Sequence, residues 1–134
     1  MANLDKNTDI AEKDTNYVTM KIEDDIFYMY YKPIELLDIN IAKKIVKDRL
    51  AFKDGISYPS LFDIRKVKGS TKEARDYMAN EGNELVLASA MMVSSPVLRM
   101  MANFYIMVNK PKNPTRMFTD EESALEWLSL FKNS

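Results

Sequence analysis

From Leu85 to Val93 the chain reads Leu-Val-Leu-Ala-Ser-Ala-Met-Met-Val, an apolar run broken only by Ser89. Such a run is too short to cross a membrane and too apolar for a strand with one wet face. It predicts the central strand of a parallel sheet, covered on both sides. Covering it takes helices, and the next residues supply one. Ser95 is placed to cap a helix over 96–108, and Pro96 to occupy its first turn, where a missing N–H costs nothing. Val97, Met101, Phe104 and Val108 recur at i, i+4, i+7 and i+11, so they are expected to face the sheet. Met100 and Met107 widen the apolar surface on one flank, and Leu98 and Tyr105 on the other, leaving Arg99 and Asn103 as a thin polar stripe. A helix apolar over so much of its circumference is expected to be covered by something besides its own sheet.

The rest of the chain follows an alternating plan. Residues 1–15 are polar and without periodicity, and are expected to form a mobile tail before a single domain over residues 16–134. Val18, Met20 and Ile22 alternate with Thr19, Lys21 and Glu23 as in a half-buried strand. Asp24 and Asp25 turn it into a second strand over 26–32, with aromatics on both faces. Asp38 is suited to cap a helix that ends before Gly55. Its inner stripe is Ile39, Ala42, Val46 and Leu50, broadened by Ile41, Ile45 and Phe52, while Lys43, Lys44 and Lys47 form a solvated outer face. Residues 58–64 make the third strand, with Pro59 at its start. Ser70 with Glu73, and later Thr119 with Glu122, have the spacing of capping boxes that open two further helices. A short strand at 116–118 lies between them, after the proline-stiffened loop 110–114. The order predicts a mixed, mostly parallel five-stranded α/β sheet with four helices, opened by a β-hairpin.

Composition narrows the chemistry. The 134 residues include no cysteine and no histidine, which excludes disulfides, thiol nucleophiles, imidazole bases and the usual zinc sites. A formal charge of −1 gives no general attraction to nucleic acid. The polar N-terminus does not resemble a signal peptide, and no stretch approaches the ~20 apolar residues of a membrane span. The expectation is a cytoplasmic protein with no metal and no cofactor.

Two places could bind something. Arg65, Lys66, Lys68 and Lys72 surround Gly69-Ser70-Thr71 at a helix start, beyond the carboxyl end of a strand, where an anion is favoured. The same residues are also explained as a helix cap within a cationic loop. On the helix at 96–108, Leu98, Arg99, Met100, Asn103 and Met107 are candidates for an interface or for contacts to a ligand. The surplus methionines either adapt to a varied apolar partner or simply fill the core. Asp63, between Phe62 and Ile64, must be hydrogen-bonded if buried. It is expected either to accept bonds from the loop after it or to face a pocket. No second carboxylate stands at a spacing that suggests an acid–base pair.

Two stretches carry a family resemblance. Ser60-Leu-Phe-Asp-Ile-Arg-Lys-Val67 resembles the strand ending in Asp-Leu-x-x-Val of the STAS domain of bacterial anti-sigma-factor antagonists. Arg116-Met-Phe-Thr-Asp-Glu-Glu-Ser-Ala-Leu-Glu-Trp-Leu128 is similar to the closing segment of its shortened, lipid-binding-like relatives. The resemblance covers residues 17–131 and implies a fold used for binding proteins or small ligands. Antagonists of this type carry Asp-Ser-Ser-Gly at the start of the helix after that strand, and a kinase phosphorylates the serine to release a partner. Counting from Asp63 places Thr71 at the second aspartate of that motif and Lys72 at the acceptor, so Ser70 or Thr71 serves only in a shifted loop. The expected function is a non-enzymatic regulatory or protein-interaction module, homodimeric through the helix at 96–108. The alternative is a binder or sensor of a small apolar or anionic ligand held between that helix and the sheet.

Overall fold

The alternation of strand and helix patterns builds one sheet, seen in a computed structural model that describes residues 11–132. Among the described residues it has six strands: β1 (Ala11–Asp14), β2 (Val18–Glu23), β3 (Ile26–Tyr31), β4 (Tyr58–Asp63), β5 (Val86–Met92) and β6 (Thr115–Phe118). They lie side by side in chain order, antiparallel through β3 and parallel from β3 to β6. The expected count of five therefore becomes six. The extra strand, β1, comes from the segment read as a tail, and it pairs antiparallel with β2 from Ala11–Ile22 to Asp14–Thr19. Residues 1–10 of that tail lie outside the described residues. The hairpin between β2 and β3 turns on Asp24 and Asp25, both left-handed at φ 53° and 62°, which suits the twist of the paired strands.

Four α-helices connect or follow the parallel strands: α1 (Ile39–Lys53), α2 (Lys72–Ala79), α3 (Pro96–Phe104) and α4 (Glu121–Leu128). Each new parallel strand is added on the same side of the last, so right-handed crossovers must place α1, α2 and α3 on one face. The packing agrees. Ala42 and Ile45 of α1 and Ala74 of α2 are buried with Val18, Met20, Phe27 and Met29. Leu98 and Ala102 of α3 are buried with Met91 and Met117 beside them. Among the described residues the opposite face is covered by α4, whose Ala124 and Leu128 seal Leu61, Ala88, Ala90 and Met92, with Phe131 just beyond it.

The helix starts are set by caps. Asp38 accepts from the Ile41 N–H at 2.9 Å, and α1 ends in left-handed Asp54 and Gly55. The caps of α2 and α4 fall one residue later than the expected boxes. Thr71, not Ser70, caps α2 by accepting from the Ala74 N–H at 3.1 Å, and Asp120, not Thr119, caps α4 by accepting from Ser123 at 2.8 Å. Replacing Thr71 by alanine is expected to cost about 1 kcal/mol in chemical denaturation. Ser70→Ala should cost less, because Arg75 keeps its bond to the Ser70 carbonyl. A larger loss at Ser70 would contradict this assignment.

Candidate functional site

The helix α3 is rotated from its expected setting. Ser95 caps it as anticipated, accepting from the Leu98 N–H at 3.1 Å. Leu98 and Ala102 meet the sheet, however, while Val97, Phe104 and Val108 point outward and are mostly exposed, and Met101 is only partly buried. The physical reason is that Ala102 lets the helix approach the sheet edge closely, which a larger residue at that point would prevent. Beyond Phe104 the helix widens into a π turn, Tyr105–Asn109, that ends at left-handed Lys110. Of the five candidate contact residues, Leu98 is 7% exposed and belongs to the interior. Arg99, Met100, Asn103 and Met107 are exposed. Val97, Met100, Phe104, Met107 and Val108 together form one apolar stripe on the outer face, with Met100 at 72% exposure.

The cationic loop is tied into the fold. Arg65 grips Asp63 through Nε at 2.9 Å and Nη2 at 2.7 Å, and its N–H donates to the same carboxylate at 3.1 Å. This answers the two readings of Asp63: it accepts from the loop that follows, and the pair keeps the Arg65 guanidinium more firmly protonated than usual. Lys68 lies 3.5 Å from Glu35, and Lys72 pairs with Asp76 at 2.8 Å. The backbone is occupied as well. The Lys68 N–H donates to the Ile34 carbonyl at 2.9 Å and the Thr71 N–H to that of Leu37 at 3.0 Å, lacing this loop to the one before α1. Ser70 and Thr71 are half-buried, Ser70 taking a bond from Arg75 at 3.1 Å and Thr71 capping α2. The five candidates come together around the start of α2, yet each already has a partner.

A cavity of about 120 Å³ lies between the sheet and the three helices. Met29, Tyr31, Phe62, Ser89 and Met91 form its floor, and Ile45, Val46, Met78, Met101, Ala102 and Tyr105 its walls. The buried residues of α2 and α3 above the cavity are mostly small, Ala74 and Ala79 of α2 and Ala102 of α3, with Leu98 the one larger side chain. Two arginines also line it. Arg49, buried on α1, donates to the carbonyls of Glu84 at 2.9 Å and Gly82 at 2.7 Å. Arg75 on α2 donates through Nη1 to the Ser70 carbonyl at 2.8 Å, and its Nε is buried with no partner. Its guanidinium carbon stands 5.5 Å from the Phe104 ring, so it spans from α2 to α3.

Lys53, one turn beyond Arg49, is buried too, and its Nζ donates to the Leu85 carbonyl. Burial, with the Arg49 charge adding to it, lowers its pKa from the ordinary 10.5 to about 6. Arg49, Lys53 and Arg75 were not singled out from the sequence. Their signal was partial: positions 42, 46, 49 and 53 continue one helical face, so two cations extend the inner stripe of α1. Among the described residues, no group of three or more acidic side chains could hold a metal ion, and no helix is long and apolar enough to cross a membrane.

A sheet of this order with three crossover helices on one face and a closing helix on the other defines a STAS-like fold. Residues 20–132 match the profile of a domain of unknown function (DUF7793), and the chain belongs to that family. Among solved structures, it is similar to an uncharacterised protein of the DUF3478 family from Shewanella loihica PV-4, described as having a SpoIIAA-like fold. That likeness covers 89% of this chain and 93% of the other, with a TM-score of 0.59 at 17% identity. No curated protein sequence matches significantly.

Proposed function

We propose that this protein is a non-enzymatic regulatory module that self-associates through the outer face of α3. The observation that carries this reading is the exposed stripe of Val97, Met100, Phe104, Met107 and Val108. It runs roughly 16 Å along the helix at 1.5 Å per residue, and apolar stripes that large on a surface usually mark a contact. A second copy suits it because α3 carries a single charge, Arg99, so two antiparallel copies meet without opposed like charges along the seam. The non-enzymatic part rests on the missing histidine and cysteine and on Asp63 being held by Arg65. In sedimentation at micromolar concentration the wild type is expected to be a dimer. Changing Met100 and Met107 to aspartate should give a folded monomer, since both side chains are exposed. A wild type that stays monomeric at high concentration removes this reading.

The cavity favours a second reading, in which the protein binds a small ligand between α3 and the sheet. Met101 lines that space and is half-buried. Met101→Asp is therefore expected to abolish uptake of an apolar fluorescent probe. Unchanged uptake would place the probe elsewhere.

A further inference from the structure

We infer that the cavity under α2 and α3 is a site for a small monocarboxylate with a compact apolar body, its head held by Arg75. This deepens the second reading above and rests on it. Charge is the first ground. Arg49 and Arg75 both line the space, and no aspartate or glutamate does. Asp76 and Glu84 act on the two arginines from outside the space, but no acidic side chain lines it, so a carboxylate that enters meets positive charge from both.

Available donors decide between the two arginines. Arg49 spends Nη1 and Nη2 on the carbonyls of Glu84 and Gly82. Arg75 spends Nη1 on Ser70, but its buried Nε has no partner. Arg75 is thus the arginine with a donor unspent, at the boundary between α2 and α3 where its guanidinium meets Phe104. Size sets the rest of the ligand. A cavity of about 120 Å³ is close to the roughly 150 Å³ that accepts benzene, which limits the body to a single ring or a short chain. Met29, Met78, Met91 and Met101 supply flexible side chains that can close around either shape.

The test is calorimetric titration of the full-length protein with benzoate, hexanoate and neutral benzyl alcohol. Both carboxylates are expected to bind one per chain, at least tenfold more tightly than benzyl alcohol. Arg75→Gln should lose at least tenfold for benzoate and nothing for benzyl alcohol. Because that variant also loosens Ser70, the wild type supplies a second readout: the Nε–H resonance of Arg75 should shift on adding benzoate but not benzyl alcohol. Equal affinity for benzoate and benzyl alcohol, with an unmoved resonance, overturns the carboxylate assignment and leaves a neutral-ligand site standing. Failure of all three probes to bind overturns both.

Discussion

Lys53→Met is expected to abolish a rise in stability that the wild type shows above about pH 6. In the unfolded chain Lys53 ionises near 10.5, and in the folded chain near 6. Between those values the unfolded chain binds more protons, so stability grows with pH, by up to roughly 1.4 kcal/mol per unit. Below about pH 6 the folded lysine is charged as well and the dependence vanishes. The surroundings make the effect easy to isolate. With no histidine or cysteine in the chain, the α-amino group is the one other group that ordinarily titrates between pH 6 and 9. Arg49 stays charged across that window, and burial pushes Tyr31 up to about 12, beyond it. Methionine fills the same volume, and the donor lost by the Leu85 carbonyl costs about the same at every pH. Urea midpoints at half-unit steps from pH 6 to 9 should slope for the wild type and lie flat for the variant. Parallel curves would mean that Lys53 is charged in the folded protein throughout.

The second large effect is expected at Phe27. It is fully buried on β3, with Phe52 of α1 at 6.2 Å, Phe62 of β4 at 6.3 Å and the Lys53 Nζ 4.9 Å above its ring. Phe27→Ala opens a void under α1 that the sheet cannot close, so it should cost about 3–5 kcal/mol in urea denaturation. It also removes the ring beneath Lys53. The double variant with Lys53→Met should therefore lose less than the sum of the two, because one change removes part of what the other acts on. A loss at Phe27 below about 1.5 kcal/mol would be inconsistent with its burial between α1 and the sheet.

The order of elements was legible because each rests on a local pattern. Val18, Met20 and Ile22 alternate, Asp38 and Gly55 bracket α1, and Leu85–Val93 suits a doubly covered strand. β1 was not legible. Three of its four residues are charged, and it is held by backbone pairing to β2, which leaves no apolar period to read. For α3 the pattern was ambiguous, since apolar residues surround most of the helix. Volume at Ala102 decided which side meets the sheet, and periodicity does not weigh volume. Of the candidate contact residues, Arg99, Met100, Asn103 and Met107 are exposed after the rotation and Leu98 is not. The cationic loop was visible as charge, and two of its partners are local, Asp63 two residues before Arg65 and Asp76 one helical turn after Lys72, while Glu35 is brought to Lys68 by the fold. The cavity belongs to no segment; its lining comes from α1, α2, α3 and the sheet, residues far apart in the chain.

The strand order has a consequence for the chain as it is made. Since β1 to β6 lie side by side in the order of synthesis, each unit can dock on its predecessor as it leaves the ribosome, with no early strand waiting for a late neighbour. The face under α1, α2 and α3 is complete once β6 has emerged. The other face is not, because Leu61, Ala88, Ala90 and Met92 await α4, which follows all six strands in the chain. A nascent or truncated chain ending before Glu121 carries one finished side and one sticky side, and such a chain is a natural client for a chaperone.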